Sequence, residues 1–203
     1  MKDLSIYCIG DSLVYGYGVR RAQCWTKLLS DMTGARVINC GVNGDTTAGM
    51  LSRLNAAILP EMKSGGGACC AVIMGGYNDI FFSGSDASAR ANIAAMTMTL
   101  RSEGVVPIVC IPGGIGRSGF PEQWAELTDF EEARRMIEDY SLWLEQYCRS
   151  FLIKHADMRP AFKSAGDGIF LDGIHPNPDG QVLIAKALAE TITVWSVEFG
   201  VWS

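Results

Sequence analysis

Five apolar runs rich in β-branched residues punctuate the chain, at Leu4–Ile9, Arg36–Val42, Cys69–Met74, Val105–Ile111 and Phe151–Ala156. None of them alternates strictly between apolar and polar residues. A strand wet on one face would alternate. Continuous runs ask for cover on both faces, the condition of a parallel sheet between helical layers. Longer segments with helical periodicity separate the runs. In Ala22–Met32, the residues Trp25, Leu28, Leu29 and Met32 fall on one helix face, and Gly34 follows as a C-cap. Thr46–Ile58 comes next, then Ala87–Arg101, closed by Gly104. Asp129–Arg149 opens with Thr128 and Glu131 at the spacing of a capping box. Pro178–Val194 has Asn177 as N-cap and Pro178 at its first helical position. The alternation predicts a doubly wound, three-layer α/β/α sandwich with right-handed crossovers. No repeat, low-complexity stretch or linker interrupts it. Residues 1–203 therefore read as one domain, long enough for a sizeable core.

Ligands of such sheets meet the carboxyl ends of the strands. Four loops leave that edge, and each carries polar residues. Gly10, Asp11 and Ser12 follow the first strand, and "GVNGDTT" with Gly44 follows the second. "GGYNDI" with Asn78 follows the third, and "FLDGIHPNPDG" with Asp172 and His175 leads into the last helix. These residue types suit acyl transfer. A serine hydroxyl attacks only when a neighbouring base takes its proton. The chain has two histidines. His175 stands three residues after Asp172, a spacing that lets the carboxylate hold one ring nitrogen while the other faces Ser12. His155 lies in a strand-like run and reads as a core histidine. An oxyanion needs donors aimed where negative charge develops. The Ser12 and Gly44 N–H groups and the Asn78 amide are candidates, the last because its NH₂ donates without carrying charge.

Taken together, "GDSL" at Gly10–Leu13, Gly44 in "NGDTT", "GYND" at Gly76–Asp79 and "DGIH" at Asp172–His175 resemble the blocks of the SGNH (GDSL-type) hydrolases. The blocks occur in the family's order over nearly the whole chain. The resemblance implies a flavodoxin-like five-stranded parallel sheet and a serine esterase or lipase-type acylhydrolase. It assigns the nucleophile to Ser12, the rest of a catalytic triad to Asp172 and His175, and the oxyanion hole to Ser12, Gly44 and Asn78. No G-x-S-x-G elbow is present, which sets the chain apart from α/β-hydrolases. Four further residues are candidates for contact with substrate: Asp11 and Tyr77 inside the blocks, and Arg117 and Trp124 in the long loop Cys110–Trp124. Asp11 also has a plainer reading, as the residue that ties down the turn.

The expected reaction is hydrolysis of carboxylic esters or thioesters of small to medium acyl groups, with no cofactor and no metal. Two alternatives remain open. One is a carbohydrate O-deacetylase of the same fold. The other is a non-enzymatic flavodoxin-like module that holds a phosphate or a flavin, although the first loop offers one serine and no threonine. A net charge of −5 argues against a nucleic-acid partner. No apolar run is long enough for a membrane span. Seven cysteines, most of them inside apolar runs, and no signal-peptide pattern predict a reduced, cytoplasmic protein. The apolar tail "VWSVEFGVWS" either packs back on the domain or forms a homo-oligomer contact.

Overall fold

The computed structural model describes residues 4–65 and 67–198, with side chains described as far as Val194. Strands β1 (Leu4–Gly10), β2 (Arg36–Gly41), β3 (Ala68–Met74), β4 (Val106–Ile111) and β5 (Lys154–Asp157) form one sheet in the order β2-β1-β3-β4-β5. Every neighbouring pair is parallel. The apolar runs of β1, β3 and β4 are buried on both faces, as their lack of alternation requires. The chain leaves β1 for β2 on one side and returns to β3 on the other. The switch point of the sheet therefore lies between the carboxyl ends of β1 and β3.

The principal helices are α2 (Trp25–Thr33), α3 (Thr47–Arg53), α4 (Leu59–Ser64), α6 (Ala87–Ser102), α8 (Phe130–Ser150) and α10 (Pro178–Glu198). Helix α2 packs on α10, α3 packs on α6, and α8 lies against β4 and β5. Short helices α1 (Ser12–Tyr15), α5 (Tyr77–Ser83), α7 (Glu122–Ala125) and α9 (Arg159–Ala165) line the carboxyl edge. Fully buried Trp25 fastens this edge to the layers. Its indole N–H donates to the Leu13 carbonyl at 2.9 Å, and its backbone N–H donates to Gln181 Oε1 at 2.9 Å.

Several boundaries differ from the pattern in the sequence. The segment expected to end at Ile58 continues to Ser64 through a π-helical stretch, Leu54–Ile58. That widened stretch lies just ahead of Pro60, whose ring and missing N–H disturb the i→i−4 ladder. The capping box at Thr128 does not form. Asp129 is the N-cap instead, accepting from the N–H groups of Glu131 and Glu132, and the Thr128 hydroxyl bonds the Phe81 carbonyl. The fifth strand starts at Lys154 rather than Phe151, because α8 runs through Ser150 and Phe151 caps it.

Leu152 makes the turn out of α8 in the left-handed region, φ 54, with 87% of its surface exposed. An L-residue other than glycine is strained there, and the exposed side chain returns little packing. Leu152→Gly should raise stability by about 1 kcal/mol and Tm by about 2–4 °C. Thermal unfolding of the two proteins checks this, and an unchanged or lower Tm would mean the turn is not strained.

All seven cysteines are free thiols. Among the described residues, no helix is long and apolar enough to cross a membrane. The tail expected to pack back or to join copies of the chain lies, beyond Val194, outside the described side chains.

Candidate active site

The turn after β1 is built by Asp11. Its Oδ1 accepts from the Leu13 N–H at 2.9 Å and caps α1, so that Ser12 becomes the first helical residue. Ser12 is half-buried and its Oγ lies 2.9 Å from His175 Nε2. On the far side of the imidazole, Nδ1 lies 2.7 Å from Asp172 Oδ2. With Nδ1–H donating to that carboxylate, Nε2 keeps a lone pair toward the Ser12 hydroxyl. The other oxygen, Asp172 Oδ1, accepts the backbone N–H groups of His175 at 2.8 Å and Ile174 at 3.1 Å. Burial pushes the Asp172 carboxyl up, but hydrogen bonds from the His175 side chain and backbone outweigh it. The net direction is down, which keeps the group ionised.

The loop that carries the pair is held at both ends. Gln181 of α10 donates to the Pro176 carbonyl, and the Leu171 N–H donates to the His175 carbonyl. Because Gln181 also accepts from Trp25, one side chain links α2 to the His175 loop.

The loops after β2 and β3 are cross-strapped. Arg53 donates to the carbonyls of Gly10 and Cys40 and pairs with Asp45 at 2.7 Å. Asp79 accepts from the Thr47 N–H and hydroxyl, which fixes α5 to α3. Asn78, 4% exposed, uses one amide hydrogen on the Asp45 carbonyl at 2.8 Å and keeps the second. Gly44 lies at the open surface of the second loop with φ 73, and nothing stands within 4 Å of the position a Cβ would take.

The four substrate candidates are distributed differently from expectation. Asp11 is 1% exposed and faces the protein interior, so its role is to cap α1. Tyr77 is 3% exposed, and its hydroxyl accepts from the Gly114 N–H at 3.0 Å. It anchors the loop after β4 from below. Arg117 is exposed and lines a groove of about 710 Å³ between that loop, α8 and α9. Neither Ser12 nor His175 lines the groove. Trp124 packs against Phe81 and Phe82 of α5. His155 is half-buried, with Nδ1 3.5 Å from the Ile153 carbonyl, as a core histidine would be. Arg53, Thr47 and Gln181 escaped the reading of the sequence, since their partners lie on other elements.

The model of the GDSL-like lipase/acylhydrolase family matches residues 8–183, from β1 into α10. The chain belongs to that family. Among the relatives of this member of the GDSL-like family, an esterase, TesA of Pseudomonas aeruginosa, is 33% identical over 105 residues, 49% of this chain and 50% of that esterase. The match thus spans half the length of TesA. An arylesterase of Vibrio mimicus is 24% identical over 91% of this chain and 86% of its own. A solved lipolytic protein of the G-D-S-L family from Veillonella parvula superposes with a TM-score of 0.76 at 20% identity, covering 94% of this chain and 98% of that one. The GDSL fold is therefore the expected five-stranded parallel sheet flanked by helices.

Proposed function

We propose that this chain is a serine hydrolase that cleaves carboxylic esters or thioesters of small to medium acyl groups through an acyl-enzyme on Ser12. The observation that carries the reading is the unbroken line Ser12 Oγ, His175 Nε2, His175 Nδ1, Asp172 Oδ2, with contacts of 2.9 and 2.7 Å. Family membership supports the same reaction class.

In the first half-reaction His175 takes the Ser12 proton as Oγ adds to the carbonyl carbon. The imidazolium then protonates the leaving alcohol or thiol, and the acyl group stays on Ser12. Water, deprotonated by His175, releases the carboxylic acid and restores the serine. Asp172 holds the ring tautomer throughout and faces the cation when it forms. The oxyanion is met by the N–H groups of Ser12 and Gly44 and by the free amide hydrogen of Asn78. Asn78→Ala should lower kcat by about 10²–10³-fold, as loss of one such donor does elsewhere. Turnover within a few-fold of wild type would remove Asn78 from this role.

The test of the whole reading pairs two measurements on wild-type protein. The first is hydrolysis of a p-nitrophenyl ester series from acetate to palmitate. The second is mass spectrometry after treatment with a reactive alkylphosphonate. We expect a rate maximum at short or medium acyl length and a single phosphonyl adduct on Ser12, with hydrolysis lost in proportion. Adduct formation on another residue, with Ser12 unmodified and hydrolysis lost, would overturn the assignment. Faster turnover of acetylated sugars than of p-nitrophenyl acetate would move the substrate to carbohydrate esters.

The seven unpaired thiols support a reducing compartment, and we place the protein in the cytoplasm on that ground. The single sheet and its common core support one hydrolase domain.

A further inference from the structure

The stretch after the nucleophile reads Gly16-Tyr17-Gly18, and none of the roles above uses it. Both glycines lie in the left-handed region, with φ 84 and 77. A Cβ on Gly16 would stand 2.6 Å from Cys24 Sγ, and one on Gly18 would stand 2.6 Å from Leu171 Cδ1. Each position thus needs glycine both for its backbone angle and for close approach. Their effect is to fold the chain back over the loop that carries His175. The Gly16 and Tyr17 N–H groups both donate to the carbonyl of Ser12, at 3.0 and 3.1 Å. The nucleophile's own backbone therefore anchors the turn.

Tyr17 is 48% exposed, while His175 is 6% exposed. Their ring centroids lie 4.5 Å apart with the planes at 40°. That separation is inside the range over which a cation is attracted to an aromatic face. We propose that Tyr17 is a positioning residue for His175: its ring walls the imidazole on the solvent side, holds it against Ser12 and favours the imidazolium formed when Ser12 is deprotonated. The proposal rests on the serine-hydrolase reading above. Other polar or charged groups around the imidazole are Asp172 at Nδ1, Ser12 at Nε2 and the buried Asp11 of the β1–α1 turn. Among the described residues, Tyr17 is the aromatic group that packs on the imidazole.

The variants Tyr17→Leu and Tyr17→Phe separate the parts of this role. Leucine keeps an apolar cover and removes the π face, and phenylalanine keeps both and removes the hydroxyl. In kcat/KM against pH, Tyr17→Leu should move the acid limb about half a unit to lower pH, because the charged form loses support. Its plateau should fall about threefold to tenfold as the imidazole loses its fixed pose. Tyr17→Phe should overlay the wild type. A Tyr17→Leu profile that overlays the wild type overturns the proposal. So does a Tyr17→Phe profile that moves with leucine, since the hydroxyl would then be the active part. Phosphonate labelling of the same preparations keeps the two readings apart. Active wild type with its adduct on Ser12 and an unmoved leucine profile sinks only the role of Tyr17. Wild type that hydrolyses no ester sinks both.

Discussion

Ser12→Ala should lower kcat for a p-nitrophenyl ester on the order of 10⁶-fold, and Asp172→Asn about 10⁴-fold. In the proposed mechanism the first removes the atom that bonds the acyl group. The second is isosteric, and its effect runs through the imidazole. An asparagine amide turned toward Nδ1 offers N–H where a carboxylate oxygen accepted one. The ring then carries its proton on Nε2, and the lone pair that faced Ser12 Oγ at 2.9 Å is gone. If the carbonyl of the amide faces Nδ1 instead, the tautomer survives but the imidazolium loses its counter-charge at 2.7 Å. Either arrangement slows deprotonation of Ser12. The three side chains act as a unit, so Ser12→Ala combined with Asp172→Asn should be no slower than Ser12→Ala alone. An additive loss, or Asp172→Asn within tenfold of wild type, would contradict the line of proton transfer drawn here.

The second large effect concerns stability and comes from Asp11. Its carboxyl is 1% exposed, and Oδ2 has no hydrogen-bond partner. Burial pushes the group up to about 7 from an ordinary 3.8, against the Leu13 N–H bond and the nearby His175, which pull it down. Asp45 and Asp79 add to the rise. A carboxyl raised in the folded state binds a proton there that the unfolded chain has already released. Stability from this group is therefore fully present below about pH 4 and is lost as pH climbs to about 7. At about 1.4 kcal/mol per unit, the loss is roughly 4 kcal/mol by pH 8.

Asp11→Asn keeps the shape and the acceptor for Leu13 but does not titrate. Urea unfolding at pH 4.5 and pH 8 is the measurement. The variant should match the wild type at the lower pH within about 1 kcal/mol and exceed it by several kcal/mol at the higher. Parallel pH dependences in the two proteins would show that Asp11 stays ionised when folded.

Much of this architecture is legible in the sequence for a simple reason. The strands are buried on both faces, so their apolar runs are continuous, and the residues at the carboxyl edge follow each run directly. Ser12, Asn78, Asp172 and His175 could be singled out because position along the chain implies position on the edge. Helix α5 was not legible as a helix. Tyr77, Asn78, Asp79, Ile80 and Phe81 are all buried, so no polar face marks its period. Phe151 and Leu152 blurred the start of β5 because two exposed apolar residues form its turn. Side-chain direction was the least accessible property. Tyr77 points inward and Tyr17 points at the imidazole, although both follow glycine near a motif. What decides between them is the loop each one meets, and that loop is distant in sequence.

The contact between Ser12 and His175 joins positions 163 residues apart. Ser12 follows the first strand of the sheet, and His175 comes only after the fifth. Beyond His175, Gln181 of α10 reaches both Trp25 and Pro176, so the docking of α10 holds the His175 loop in place. A chain in which that loop has not yet docked therefore carries Ser12 without its partner imidazole. On the proposed function, ester hydrolysis doubles as a report that α10 is docked, and a change that loosens α10 is expected to lower activity before it melts the sheet.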